Sequence, residues 1–324
     1  MLPLCDSKVV FEARATLPPF PSSSVRKLRH SSGDAIADRR AGYAEAMAAE
    51  RAFAEAAEVL AQAMELVPDW AAGWANLGRY REEMGDIAGA VEAWRRSAGL
   101  DGDGVYGAAL KLVAHGQLAD ADGGAYVEAL FDDYAPRFEK SLVDRLGYDV
   151  PREIAGLIGE VGRPGGGTAY DLGCGTGLMG VELRPTVRRL EGVDVSEAML
   201  AEARRKGVYD RLVKADLLAF LAVAEPAALV TATDVLNYTG PLPPVLAAVH
   251  RVLEPGGLFG FSLELYEGLE ALKLRSSLRY AHSGTAAVAA CLASGFAVAG
   301  KRDTVIRQDR GEPVAGLLIV ARRL

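Results

Sequence analysis

The chain has 324 residues, half of them hydrophobic and about a quarter charged, with a formal net charge of −7. That length holds a full α/β domain plus a smaller one, while the acidic balance excludes generic binding to nucleic-acid backbones, which needs a basic face. No apolar run reaches the ~18 to 20 residues needed to span a bilayer. Cys5, Cys174 and Cys291 are widely spaced with no C-x-x-C pair, so neither a zinc site nor a disulfide framework is expected, and a reducing cytoplasm is the expected compartment.

Residues 1–36 contain "RATLPPFPSSSVRKLRHSSGD", rich in Ser, Pro and basic side chains, and read as a disordered leader. Asp6 and Glu12 weigh against a transit peptide. Residues 37–121 shift to Ala, Glu and Arg, which predicts helices. Aligning "RAFAEAAEVLAQAMELVPD" with "GDIAGAVEAWRRSAGLDGD" at an offset of 34 pairs Phe53 with Ile87, Ala56 with Ala90, Leu60 with Trp94 and Leu66 with Leu100. The second unit resembles the tetratricopeptide (TPR) repeat family, whose period is 34: Trp74, Leu77 and Gly78 match W-x-x-L-G, and Trp94 fills the aromatic slot. Ser97 and Gly102 depart from that pattern, where Ala and Pro are usual. Two repeats leave their end faces bare, so "GVYGAALKLVAHG" and the next domain are expected to cap them.

Residues 122–324 form the second expected domain. Tyr126, Leu130, Phe131, Tyr134, Phe138, Leu142 and Leu146 follow helical spacing and read as a core-facing stripe. "PREIAGLIGEV" is a further helix, and "GRPGGG" a hinge into the first strand. From residue 168 strand and helix alternate, with seven strands at "TAYDLG", "RLEGVDV", "RLVKAD", "AALVTATDV", "GLFGFSLE", "FAVAGKRDTVIRQ" and "PVAGLLIVARR". Only "DRGE" separates the last two, so they pair as an antiparallel hairpin.

"AYDLGCGTGLMG" fits two glycine fingerprints. As G-x-G-x-x-G from Gly175 it is a dinucleotide pattern, but then Asp171 and Gly173 fall inside a buried parallel strand, where neither fits. As G-x-G-x-G from Gly173 it is the pattern of S-adenosylmethionine (SAM) sites, and the strand ends at Asp171. Asp194 closes the second strand, where an acid accepts from ribose hydroxyls. Asp216 closes the third, suited to an adenine amino group, with the Leu217 amide facing the ring.

The run "DLGCGTG", "GVDVSEAML", "KADLL" and "LEPGGLFGFS" resembles the class I SAM-dependent methyltransferases, and with the helical repeat the chain resembles the predicted methyltransferases carrying TPR repeats. The resemblance implies a Rossmann-like sheet with an antiparallel last strand, SAM as cofactor, and a small-molecule or protein acceptor recruited with the repeats' help. A repeat-based binding protein with a catalytically silent cofactor domain is the alternative. Gly173, Gly175 and Gly177 would border the cofactor, with Asp171 near its amino group, Cys174 a small filler between them, and Val195 and Met199 beside the adenine. Thr233, Asp234, Asn237 and Tyr238 follow the fourth strand and would flank the sulfonium and the acceptor, the last two as candidate catalytic groups. His282 is the candidate base, since His30, His115 and His250 fall in the leader and helices. Arg279 and Tyr280 are candidate substrate contacts, and Tyr134 and Phe138 resemble the family's aromatic lid. No metal is needed for methyl transfer. Because only Tyr134 and Phe138 precede residue 171, removing the repeats is expected to spare cofactor affinity while lowering transfer.

Overall fold

A computed structural model describes residues 31–138, 148–162, 166–309 and 312–324. The bulk of the leader (residues 1–30), Leu142 and Leu146 of the aromatic stripe, and part of the "GRPGGG" hinge lie outside the described residues.

The first helix described, α1 (Ala35–Ala49), starts two residues before the expected start of the helical domain at residue 37, because Asp34 caps it by accepting from the Ile36 and Ala37 amides, both at 2.8 Å. It pairs with α2 (Phe53–Leu66), and α3 (Ala71–Glu83) pairs with α4 (Ile87–Leu100). Helices α2 and α4 begin and end 34 residues apart, with Ala56, Leu60, Ala90 and Trp94 all buried as the alignment requires. Leu66 and Leu100 end the two helices at the surface. Gly78 permits the close approach of α3 to α4: a Cβ there would lie 2.3 Å from Trp94 Nε1. Ser97 is fully buried and its hydroxyl donates to Ala71 O at 2.9 Å, so the polar atom at this packed position is satisfied across the helix pair.

Helix α5 (Ala108–Ala114) has two packed sides. Ala108 and Leu112 cover Trp94 and Val91, as the capping expectation requires, while Leu110 packs with Tyr126, Leu274 and Leu278 of the following domain. Lys111 Nζ donates to Glu82 Oε2 at 2.6 Å and to Ser276 O at 2.7 Å, tying α3 and α5 to a turn 165 residues further on. The helical array and the second domain therefore share a wall.

Helix α6 (Gly124–Tyr134) continues into a 3-10 turn at Ala135–Arg137. Beyond α7 (Val150–Val161) lies the sheet: β1 (Thr168–Leu172), β2 (Arg189–Asp194), β3 (Arg211–Lys214), β4 (Ala227–Ala232), β5 (Leu253–Leu265), β6 (Leu272–Leu274), β7 (Tyr280–His282), β8 (Phe296–Asp309) and β9 (Glu312–Arg323). Strands β3, β2, β1, β4 and β5 lie side by side and parallel; β9 joins β5 antiparallel and β8 joins β9 antiparallel. All seven expected strands form, with the antiparallel hairpin at the end. Among the described residues the sheet has nine strands rather than seven, because the three-residue strands β6 and β7 pair with each other and β7 pairs with β5 at Glu264 and Leu265.

Helices α8 (Leu178–Leu183) and α7 cover one face of the sheet through Ile154, Leu157, Met179 and Leu183. Helices α10 (Leu217–Val223), α11 (Leu242–Val252) and α12 (Gly284–Ala293) cover the other around Phe259, Phe261, Leu246 and Phe296. Helix α9 (Glu197–Lys206) follows β2. The strand order reverses at β1, between β2 and β4, and open α/β sheets bind ligands beyond the carboxyl ends of their strands at such a point.

Candidate active site

A cavity of about 320 Å³ opens at that reversal. Its floor is the turn after β1. Gly175 adopts φ +53, its amide donates to Asp194 Oδ2 at 2.8 Å, and a Cβ at this position would meet nothing within 4 Å, so bare backbone faces the cavity. Asp194 Oδ1 accepts from the Ser196 amide at 2.9 Å. Each carboxylate oxygen thus accepts from at least one backbone amide and retains capacity for a hydroxyl. Burial raises the Asp194 carboxyl to about 6, against the lowering effect of the Ser196, Gly175 and Val195 amides.

Val195 and Met199 continue this wall, and Asp216, Leu217 and Leu218 form the adjoining one. Asp216 Oδ1 caps α10 by accepting from the Leu218 and Ala219 amides at 2.8 and 3.0 Å. Thr233, Asp234 and Tyr238 line the side after β4, with Gly173, Phe138 and Tyr280. Asp234 is held in the left-handed region, φ +58: its amide donates to Ser262 Oγ at 2.8 Å, and its Oδ1 accepts from Asn237 Nδ2 at 2.5 Å and Arg307 Nη1 at 3.2 Å. Arg307 is buried and also donates to buried Glu264.

Seven of the residues singled out in the sequence lie behind the cavity surface. Asp171 is fully buried and accepts from the Tyr209 hydroxyl at 2.7 Å and Thr231 Oγ1 at 3.0 Å. Burial raises its carboxyl to about 7, and the nearby Asp194 charge adds to the rise. Cys174 is buried with its thiol pushed up by burial, which leaves it unreactive and fits a filler. Gly177 opens α8, Asn237 supports Asp234, and Tyr134 packs edge-on to Phe138 at 5.4 Å. Arg279 is buried, with Nε donating to the Tyr238 hydroxyl at 2.8 Å, which holds that ring against the cavity. The His282 ring is turned inward, Nε2 at 3.0 Å from Gly240 O, and burial lowers its basicity. It does not reach the cavity.

Other lining residues had no sequence signal for the role. Phe131 belongs to the stripe expected to face the core, yet it lines the cavity and meets Tyr238 edge-on at 5.3 Å. Leu110, Ala121 and Asp122 reach it from α5 and the loop beyond, and Leu278 from the β6–β7 turn. Asp132 on α6 accepts from Ser196 Oγ at 2.6 Å, which fastens α6 over the start of α9. Among the described residues no group of three or more His, Cys, Asp or Glu could hold a metal ion.

Residues 169–257 match the family described as Methyltransferase domain. The match runs from β1 to the start of β5 and so takes in the turn after β1, Asp194, Asp216 and Asp234. Human methyltransferase-like protein 27 is 36% identical over 25% of this chain and 34% of its own length. A TPR repeat-containing protein of Pseudomonas aeruginosa is 46% identical over 17% of this chain and 49% of its own. The chain thus spans a third to a half of these two relatives. Magnesium protoporphyrin IX methyltransferase from Synechocystis PCC 6803, solved with bound SAM, superimposes with a TM-score of 0.50 at 17% identity, over 64% of this chain and all of that one. That likeness is one of fold, and the family match at residues 169–257 falls on the part of the chain that forms the cavity floor.

Proposed function

We propose that the protein is a SAM-dependent methyltransferase. The observation that carries the reading is the pairing of Gly175 with Asp194 at the strand-order reversal, where bare backbone and a carboxylate face one cavity. Asp194 would accept the ribose hydroxyls, Met199 and Leu217 would sandwich the adenine, and Gly173 and Gly175 would leave room for the methionine portion. Asp216 spends one oxygen on capping α10 and keeps the other for the adenine amino group. The cofactor supplies a methyl group on a positively charged sulfur. The protein holds an acceptor in line beside Asp234 and Tyr238, and the enclosing walls of Phe131, Phe138 and Tyr280 exclude water. Because His282 is turned away and of lowered basicity, the candidate base of the sequence reading gives way to Asp234, the only carboxylate on the wall after β4 among the described residues.

The helical hairpins support a TPR reading by their common period and by the similarity to a protein named for such repeats. Their role is revised, since Leu110 and Ala121 belong to the cavity wall. Free, buried Cys174 and Cys291 fit a reducing, cytoplasmic setting. The test is transfer of labelled methyl from SAM into fractionated lysate by the wild type and Asp194→Ala. Label incorporated by the wild type alone supports the proposal. Binding of SAM with no incorporation into any fraction would favour the catalytically silent alternative.

A further inference from the structure

Beyond the cofactor-facing walls, the cavity has a second end. It is lined by Leu110, Val127, Phe131, Tyr238, Leu278 and Tyr280, drawn from the helical array, α6, the turn after β4 and the β6–β7 turn. These surfaces are apolar or aromatic. Four carboxylates line the whole cavity, those of Asp122, Asp194, Asp216 and Asp234, and among the described residues no Lys, Arg or His does. Two described cations lie behind the wall and are committed there, Arg279 to the Tyr238 hydroxyl and Arg307 to Asp234 and Glu264. Asp234 Oδ1 takes both Asn237 and Arg307, and no described residue donates to Oδ2.

We propose that the methyl acceptor is a small apolar amine, bound between the helical array and the turn after β4 with its nitrogen at Asp234 Oδ2. The inference rests on the methyltransferase reading. An anionic acceptor would be placed against Asp234 with no cation lining the cavity among the described residues, Arg307 behind the wall being shared between Asp234 and Glu264, whereas a nitrogen that is or becomes positive gains from both the carboxylate and the rings of Phe131 and Tyr280. The neutral amine donates an N–H to Oδ2, which points its lone pair toward the methyl group. The nitrogen–carbon bond forms as the sulfur–carbon bond breaks, the bonding pair staying with sulfur. Positive charge moves from sulfur to nitrogen, and the methylammonium later releases its proton to water. A carboxylate fixed beside the nitrogen stabilises the charge where it develops.

The test uses the full chain saturated with S-adenosylhomocysteine, with benzylamine, benzyl alcohol and benzoate as probes in calorimetric titrations. Benzylamine is expected to bind at least about tenfold more tightly than benzoate. Asp234→Asn, which keeps an oxygen for Arg307 and suits a left-handed backbone, is expected to weaken benzylamine about tenfold and leave benzyl alcohol within about twofold. Benzoate binding as tightly as benzylamine, or Asp234→Asn weakening amine and alcohol alike, would overturn the proposal; the first comparison needs no variant. Failure of S-adenosylhomocysteine to bind would instead remove the methyltransferase reading and the amine proposal with it.

Discussion

Replacing Asp171 by asparagine should flatten the fall in stability from pH 5 to pH 8. Asp171 is fully buried on β1, and its carboxyl stands at about 7 against an ordinary 3.8. With the folded value above the unfolded one, the contribution is complete below the unfolded value and is lost as pH rises through the folded one. The whole span is worth about 4 kcal/mol, and the interval from pH 5 to 8 carries about 3 kcal/mol of it. Asparagine keeps an acceptor for Thr231 and offers Tyr209 a donor in place of an acceptor, to which a hydroxyl can turn. Urea denaturation followed by circular dichroism at both pH values should show the wild type losing about 3 kcal/mol more than Asp171→Asn. Taking this difference cancels His282, whose lowered basicity acts in the opposite direction, removing stability as pH falls through its range. Parallel losses in the two proteins, within about 0.5 kcal/mol, would refute a buried Asp171 carboxyl that gains its charge near neutrality.

Asp194→Ala removes the acceptor of the Gly175 and Ser196 amides as well as the proposed ribose contact, so affinity for S-adenosylhomocysteine should fall at least about tenfold by calorimetry. Gly78→Ala drives a Cβ to 2.3 Å from Trp94 Nε1 and should cost about 1 to 3 kcal/mol in chemical denaturation, whereas Gly99→Ala, with nothing within 4 Å, should stabilise α4 by up to about 1 kcal/mol. A chain beginning at residue 122 would bare Leu274 and Leu278 and lack Leu110. It should aggregate or bind S-adenosylhomocysteine more weakly, and full affinity in a soluble truncation would contradict the shared wall.

The cofactor end of the cavity was legible because its determinants are local. Gly173 to Gly177 must follow a strand end, Asp194 is the last residue of β2 and Asp216 lies two residues beyond β3, so spacing alone puts them on one edge of a parallel sheet. The helix pair was legible for the same reason, since Ala56 and Ala90 or Leu60 and Trp94 must meet equivalent neighbours in a repeat. The acceptor end was not. Helical periodicity identifies Phe131 and Leu110 as members of buried faces but does not say whether protein or cavity covers them. Three-residue strands such as β6 and β7 carry too little pattern to separate from a loop, and with them went the placement of His282 and Tyr280. Tyr209, whose hydroxyl donates to the Asp171 carboxylate, lies outside every motif, two residues before β3.

The central claim is that the Gly175–Asp194 crevice holds SAM. It is tested most directly by isothermal titration of S-adenosylhomocysteine into the full chain at pH 7.5, with Asp194→Ala in parallel. One molecule bound per chain in the micromolar range, weakened at least about tenfold by the substitution, is the predicted result. No heat of binding at millimolar ligand, or equal affinity in the two proteins, would contradict it.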